Sequence, residues 1–309
     1  MCYLAGVSRA GYYRQLVDQE PDEAEMAMRT AIQEIVLAHR RRYGYRRVTA
    51  ELHRCGMVIN HKRVLRMMRN DNLLAVRFRK YILTTDSQHD CQVYVNLAAR
   101  MTVTGVNQLW VADITYIRLR VEFVYLAVVI DRFSRKAIGW ALDRTLAARV
   151  AVTALQQAVA RRQPPPGVVH HSDQGIQYAC ADYVEELKIH GMVPSMSRPA
   201  NPYDNAACES FMKTLKQEEI YCNQYRDFEE LSAHLEEFLG NYYNRQRLHS
   251  ALGYRTPEEF ERDTAGVPTS GGTCEAATLK FFTPPPNQTV PVPGPPHRKD
   301  PDVREGATS

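Results

Sequence analysis

The sequence predicts an α/β fold in which a core of element order βββαβαβα follows a basic, helical region. Three observations carry this. Apolar residues recur at helical spacing in the first third, they fall in β-branched and aromatic runs from Leu109 onward, and positive charge is concentrated before residue 80. Residues 39–80 hold thirteen Lys and Arg against Glu51 and Asp71, a net +11 that leaves −7 for the rest of a +4 chain. Such a concentration points to a polyanion, most simply nucleic acid, against the plainer reading of a solvated basic face.

The helical region opens with a break at Gly6-Val7-Ser8, where Ser8 can cap a following helix. Met28, Ile32, Ile35 and Val36 then share one helical face. A short helix near Arg46 to Arg54, a break at Gly56 and a second helix capped by Asn60 read as a helix-turn-helix. In the second helix Val64, Leu65 and Met68 face a core, while Lys62, Arg63, Arg66 and Arg69 point elsewhere, as on a helix laid against DNA. Arg46 and Arg47 on the first helix join that basic set.

From "LWVADITYIRL" the period becomes that of strands. "EFVYLAVVID" follows a short turn at Arg120-Val121, and "KAIGWALD" follows "RFSR", which makes a three-strand meander. "AARVAVTALQQAVARR" is a helix stopped by "PPPG", "VVHH" a short buried strand, "DYVEELKIHG" a helix, "MVPSMS" a strand and "NPYDNAACESFMKTLKQEE" a helix. This order is that of a ribonuclease H-like layout. A further helix covers "DFEELSAHLEEFLGNYYN". The organisation expected is a helix-turn-helix region over 1–85, a linker over 86–105, the core over 106–262, and a disordered tail over 263–309 in which prolines crowd.

The longest apolar run, Phe123 to Ile130, is far short of the roughly 18 residues that span a bilayer, and no signal segment opens the chain, so no membrane role and a cytoplasmic location are expected. Seven scattered cysteines without a C-x-x-C pair suggest reduced thiols.

Four acids in "NPYDNAACESFMKTLKQEE" need sorting. Asp204 is the expected helix cap, and Glu218 and Glu219 are late-turn surface charges. Glu209 lies with Lys213, Lys216 and Asn205 on a stripe away from the apolar residues Ala207, Cys208, Phe211 and Leu215. A surface pair with Lys213, worth only about 0.3 to 0.5 kcal/mol, would explain it without any chemistry. Two aspartates argue otherwise. Asp113 interrupts the most strand-like run of the chain, and Asp173 follows the end of a buried strand at a sheet edge, although a turn aspartate remains an open reading there. If the first and fourth strands are neighbours, Asp113, Asp173 and Glu209 converge, and three anions in one place call for hard divalent cations. Asp131 is the competitor. Opposite-strand counting puts Asp113 near Val128 and leaves Asp131 three residues, roughly 10 Å, further along, so it is assigned to the hairpin turn with Arg135.

Together "WVADITYI", "VVHHSDQGIQY" and "NPYDNAACESFMKTLKQE" resemble the three acidic motifs of DDE transposases and retroviral integrases, in particular the second-frame (OrfB) product of IS-three-type insertion sequences. The spacing agrees, with 59 residues between Asp113 and Asp173 and 35 between Asp173 and Glu209. "YNRQRLHSALGYRTPEEF" extends the likeness.

The resemblance implies that Asp113, Asp173 and Glu209 bind two Mg2+ ions, replaceable by Mn2+. It implies in-line attack on a phosphodiester by an oxygen of water or of a DNA 3′-hydroxyl, to nick and join DNA. It further implies double-stranded DNA at the element ends and target as partner, a homo-oligomer on that DNA, and an upstream-frame partner or frameshift fusion. Lys216, Lys213 and Asn205 become candidate DNA contacts, with a helix-start role for Asn205 equally open. His170 and His171 lie on opposite strand faces, so at least one is packed or solvated. The competing reading is a non-catalytic DNA-binding regulator that keeps the basic helices.

Overall fold

The structure, a computed structural model, describes residues 8, 23–75, 94–198 and 205–265. The helix expected after Ser8, the capping role of Asp204 and the Pro-rich tail beyond Ala265 lie outside the described residues.

Helices α1 (Glu23–Ala38), α2 (Tyr45–Arg54) and α3 (His61–Asn70) form the N-terminal region. The Asn60 side chain accepts the Lys62 N–H at 2.8 Å and caps α3 as expected. Gly56, at φ 82°, makes the turn between α2 and α3, a conformation that costs glycine least. Ile32, Val36, Val48, Leu52, Val64 and Met68 close a small core. Met67 is buried beside them, whereas Leu65 is only half-buried. Lys62, Arg66 and Arg69 stay exposed on the outer side of α3.

Strands β1 (Leu109–Arg118), β2 (Phe123–Asp131) and β3 (Ala137–Asp143) form the predicted meander. After helix α4 (Ala148–Arg162), strands β4 (Val169–Ser172) and β5 (Val193–Met196) join in parallel, and the sheet order is β3-β2-β1-β4-β5. Asp113 pairs with Val128, the register expected from the sequence. Strand alternation sends Leu109, Val111 and Ile117 to one face, under helix α7 (Ala206–Glu218) with Cys208, Phe211 and Leu215. Trp110 and Ala112 go to the other face, against Val150, Ala154 and Leu155 of α4. Between β4 and β5 lie α5 (Ile176–Ala179), a single turn the sequence did not suggest, and α6 (Ala181–Ile189).

The last predicted helix divides into α8 (Phe228–Glu236) and a π-helix (Glu237–Gln246). The wider winding lets Asn244 turn inward, where its side chain bonds both the N–H and the carbonyl of Ala137 at 3.0 and 2.9 Å. Helix α9 (Pro257–Ala265) runs past the residue expected to end the core.

Two assignments are corrected. Asp131 does sit at the β2–β3 turn, but its side-chain partner is Arg162 at 3.4 Å, not Arg135, which bonds it only through the backbone. Glu218 and Glu219 are not surface charges. They are largely buried, because Arg42, Arg47 and Arg247 come from distant parts of the chain to neutralise them. Cys55, Cys180, Cys208 and Cys222 are free thiols, and no described helix is long and apolar enough to cross a membrane.

Candidate active site

Three elements bring the acidic residues to one end of the sheet. Val111 pairs with His171 across the parallel β1–β4 ladder, so continuing it by two residues brings Asp113 level with Asp173. Both aspartates follow the alternation of Val111 and His171 and so lie on the face that α7 covers. Asp113 is inside β1, and one of its own oxygens accepts the Ile114 N–H at 2.8 Å. Asp173 leaves β4, where its Oδ1 accepts the Gly175 N–H at 3.0 Å. A side chain at position 175 would press on that oxygen, so glycine keeps the exit of β4 open for it.

Glu209 stands exposed in the first turn of α7, next to the buried Cys208. Among the described residues it makes no ion pair, so the surface pair with Lys213 is not formed. Lys216, two turns further along, is half-buried with its Nζ 5.4 Å from the Tyr116 ring centre. Burial lowers its pKa, and the charge of Asp113 opposes that fall.

Burial of a carboxyl beside other acids is the electrostatic signature of the site. The Asp113 carboxyl is pushed up to about 8, first by loss of solvation, then by Asp173, with Glu209 adding to it against the pull of the Ile114 N–H and Lys216. The Cys208 thiol, pushed up by burial, feels all three carboxylates. Among the described residues no three His, Cys, Asp or Glu side chains close around one point as a preformed metal cage. An open set of hard carboxylate oxygens under mutual repulsion nevertheless suits a divalent cation, which relieves the repulsion as it binds.

Other expected residues are engaged elsewhere. Asn205 is buried, and its Nδ2 donates to the Ala112 carbonyl at 3.2 Å, tying the start of α7 to β1 instead of facing DNA. His170 meets the Tyr183 hydroxyl at 3.0 Å, and burial drops its pKa to about 3. His171 is held between Ser195 and Ser197 at 2.9 and 3.2 Å. Both imidazoles are buried and hydrogen-bonded within the protein. Arg47 is paired with Glu218, and Arg63 with Glu25 at 3.4 Å, so these two spend charge within the protein.

Sequence reasoning passed over Tyr178. Among the described residues its buried hydroxyl has no hydrogen-bond partner, and its pKa is raised well above the ordinary value by burial, then by Tyr183, Asp113 and Asp173. Its position directly after "SDQGIQ" was the available signal.

Residues 103–202 match the family described as Integrase core domain, residues 190–257 match a second of that description, and residues 22–81 match an HTH-like domain. The fold and these matches define a DDE-type polynucleotidyl transferase with a DNA-binding helical region. Over 264 residues the chain is 36% identical to "Insertion element IS600 uncharacterized 31 kDa protein" of Shigella sonnei, covering 84% of this chain and 97% of that one. Over 266 residues it is 37% identical to "Transposase InsF for insertion sequence IS3A" of Escherichia coli K12, covering 84% and 92%. The chain belongs to the IS3 family of insertion-sequence transposases. Among solved structures, a chain of the simian T-cell lymphotropic virus intasome with PP2A regulatory subunit B56 gamma is similar at TM-score 0.44 and 16% identity, covering 82% of this chain and 80% of that chain.

Proposed function

We propose that Asp113, Asp173 and Glu209 are the acids of this transposase that hold two divalent ions, Mg2+ with Mn2+ able to replace it, and that DNA cleavage and strand transfer take place there. The observation that carries the reading is the level placement of Asp113 and Asp173 on the sheet face packed by the Glu209 helix. When bound, the ions supply Lewis-acid stabilisation of the attacking and leaving oxygens of the phosphodiester. The chain's own part is positional. β1 and β4 fix the two aspartates, the Asn205 bond to Ala112 seats α7 against β1, and Lys216 sets a positive charge beside Asp113 where a phosphate would approach.

Arg46, Lys62, Arg66 and Arg69, exposed on α2 and α3, are the phosphate contacts of the N-terminal region, with Lys213 and Lys216 closer to the reacting strand. Arg47, Arg63 and Asn205 leave that set because the protein itself engages them. The same reading takes the chain to work as a homo-oligomer on DNA, alone or joined to an upstream-frame partner, with residues 1–85 and 106–262 as its two working regions.

Incubation of the full chain with a duplex carrying its element end and Mg2+ tests the reading. Nicked and joined DNA that disappears with Asp173→Asn is the expected result, and undiminished products from that variant would overturn it.

A further inference from the structure

"YNRQRLHSALGYRTPEEF" has no task in the chemistry described above, and neither do Glu218 and Glu219. In the fold they meet. Arg247 forks onto Glu218, its Nε and Nη2 each 2.7 Å from a carboxylate oxygen, and Arg47 of α2 reaches the same carboxylate at 3.2 Å. Arg42, just before α2, donates from Nε to the Glu218 carbonyl at 2.8 Å and pairs through Nη2 with Glu219. Its guanidinium also lies 4.3 Å from the Tyr242 ring centre. Tyr43 adds a neutral link, donating to the Gln246 carbonyl at 3.1 Å and accepting the Leu248 N–H at 2.8 Å. Leu248 packs in the core of the N-terminal helices.

Burial makes this junction stiff. The side chains of Arg42, Glu219 and Arg247 are 8, 2 and 4% exposed, so breaking any one pair strands a charge away from water. Burial pushes the Glu218 carboxyl up, yet Arg247, Arg47 and Arg42 together hold it below its ordinary value. The junction grips the last turn of α7, nine residues or about 14 Å along the helix axis from Glu209. On its other side α2, which carries Arg47, packs directly on α3 with its exposed basic residues. Packed helices and buried ion pairs therefore connect the DNA-gripping face to the acidic site.

Resting on the active-site reading above, we infer that this junction acts as a ruler that fixes the distance between the DNA sequence held by α2 and α3 and the phosphodiester presented to Glu209. Arg42, Arg47 and Arg247 are then positioning residues that set where the DNA is cut. A loose joint would let one bound duplex present several neighbouring phosphates, and a stiff joint presents one.

The test uses the full chain, a duplex it selects from random sequence, and Arg42→Gln/Glu219→Gln, which replaces both charges with amides of similar shape. Removing both charges avoids the uncompensated buried charge that either single replacement would leave. The double variant is expected to bind the duplex within about threefold of wild type, under 1 kcal/mol, while its cuts in Mg2+ spread over neighbouring phosphates. Cuts confined to the wild-type phosphate, or binding and cutting that fall by the same factor, would overturn the ruler. Should that variant fail to fold, Arg247→Lys, which keeps the charge but loses the fork, is held to the same outcomes. If wild type makes no Asp173-dependent cut, the active-site reading fails, and the junction is judged on amide exchange of residues 206–219 instead. There the duplex slows exchange in wild type and leaves the double variant unchanged, and equal slowing in both rejects the inference.

Discussion

Asp113 and Asp173 stand level on neighbouring parallel strands, two residues beyond the Val111–His171 pair, although 59 residues of chain separate them. Strand alternation points both toward the helix that carries Glu209, and burial, with the charge of Asp173 adding to it, raises the Asp113 carboxyl to about 8. The consequences can be measured.

Asp113→Asn and Asp173→Asn should each reduce cleavage on the order of 10³-fold, the loss expected when a several-kcal/mol electrostatic contribution to the transition state is removed. Duplex binding, which the proposal assigns to α2 and α3, should change little. Gel-shift and cleavage assays on the same preparations separate the two effects.

The metal-free protein should lose stability as pH rises. The Asp113 carboxyl is 3.8 ordinarily and about 8 in the fold, so the folded state holds a proton that the unfolded chain releases. Its favourable contribution is complete below 3.8 and is lost as pH climbs through 8. Thermal melts in chelator should show wild type weakening relative to Asp113→Asn across that window. Parallel curves would refute the raised carboxyl.

The register of Asp113 was legible because the turn at Arg120-Val121 and the strand period fix it, and the meander and α7 followed from periodicity in the same way. The burial of Glu218 and Glu219 is hidden from sequence for a physical reason. A late-turn acid on an amphipathic helix looks solvated when only its own helix is considered, and its three arginines lie far away in sequence. The turn of Asp131 is legible, but its ion-pair partner is not, because Arg162 arrives from the end of α4 while Arg135 is the near neighbour in sequence. Asn205 shared a stripe with Glu209, yet its depth against Ala112 depends on how α7 docks, which helical spacing does not report.

Salt dependence should distinguish the basic residues. Lys62→Ala, Arg66→Ala and Arg69→Ala should each flatten the plot of log affinity against log salt by about one unit or slightly less. Arg47→Ala, whose charge faces Glu218, should leave the slope unchanged. A slope altered by Arg47→Ala would return that residue to the DNA surface.

Glu218→Ala should cost about 3 to 5 kcal/mol, since it strands buried guanidinium groups. Glu259→Ala, which breaks the exposed Arg54 pair, should cost about 1 kcal/mol or less from that pair, with any loss of its bond to the Thr256 N–H added. Denaturant melts of the two variants test the contrast.

Gly139→Ala should destabilise by about 1 to 3 kcal/mol or more, as overpacking does. A methyl there would meet the Ala154 carbonyl oxygen at 2.1 Å and the Ala158 Cβ at 2.8 Å, forcing α4 off β3. Near wild-type stability would mean that helix and strand are less closely packed.

The most direct measurement is cleavage of an element-end duplex in Mg2+ by wild type, Asp113→Asn, Asp173→Asn and Glu209→Gln, with duplex binding recorded for each. One metal site built from three acids predicts that all three variants bind like wild type and fall to the same background of cleavage. Wild-type cleavage by any one of them would contradict it.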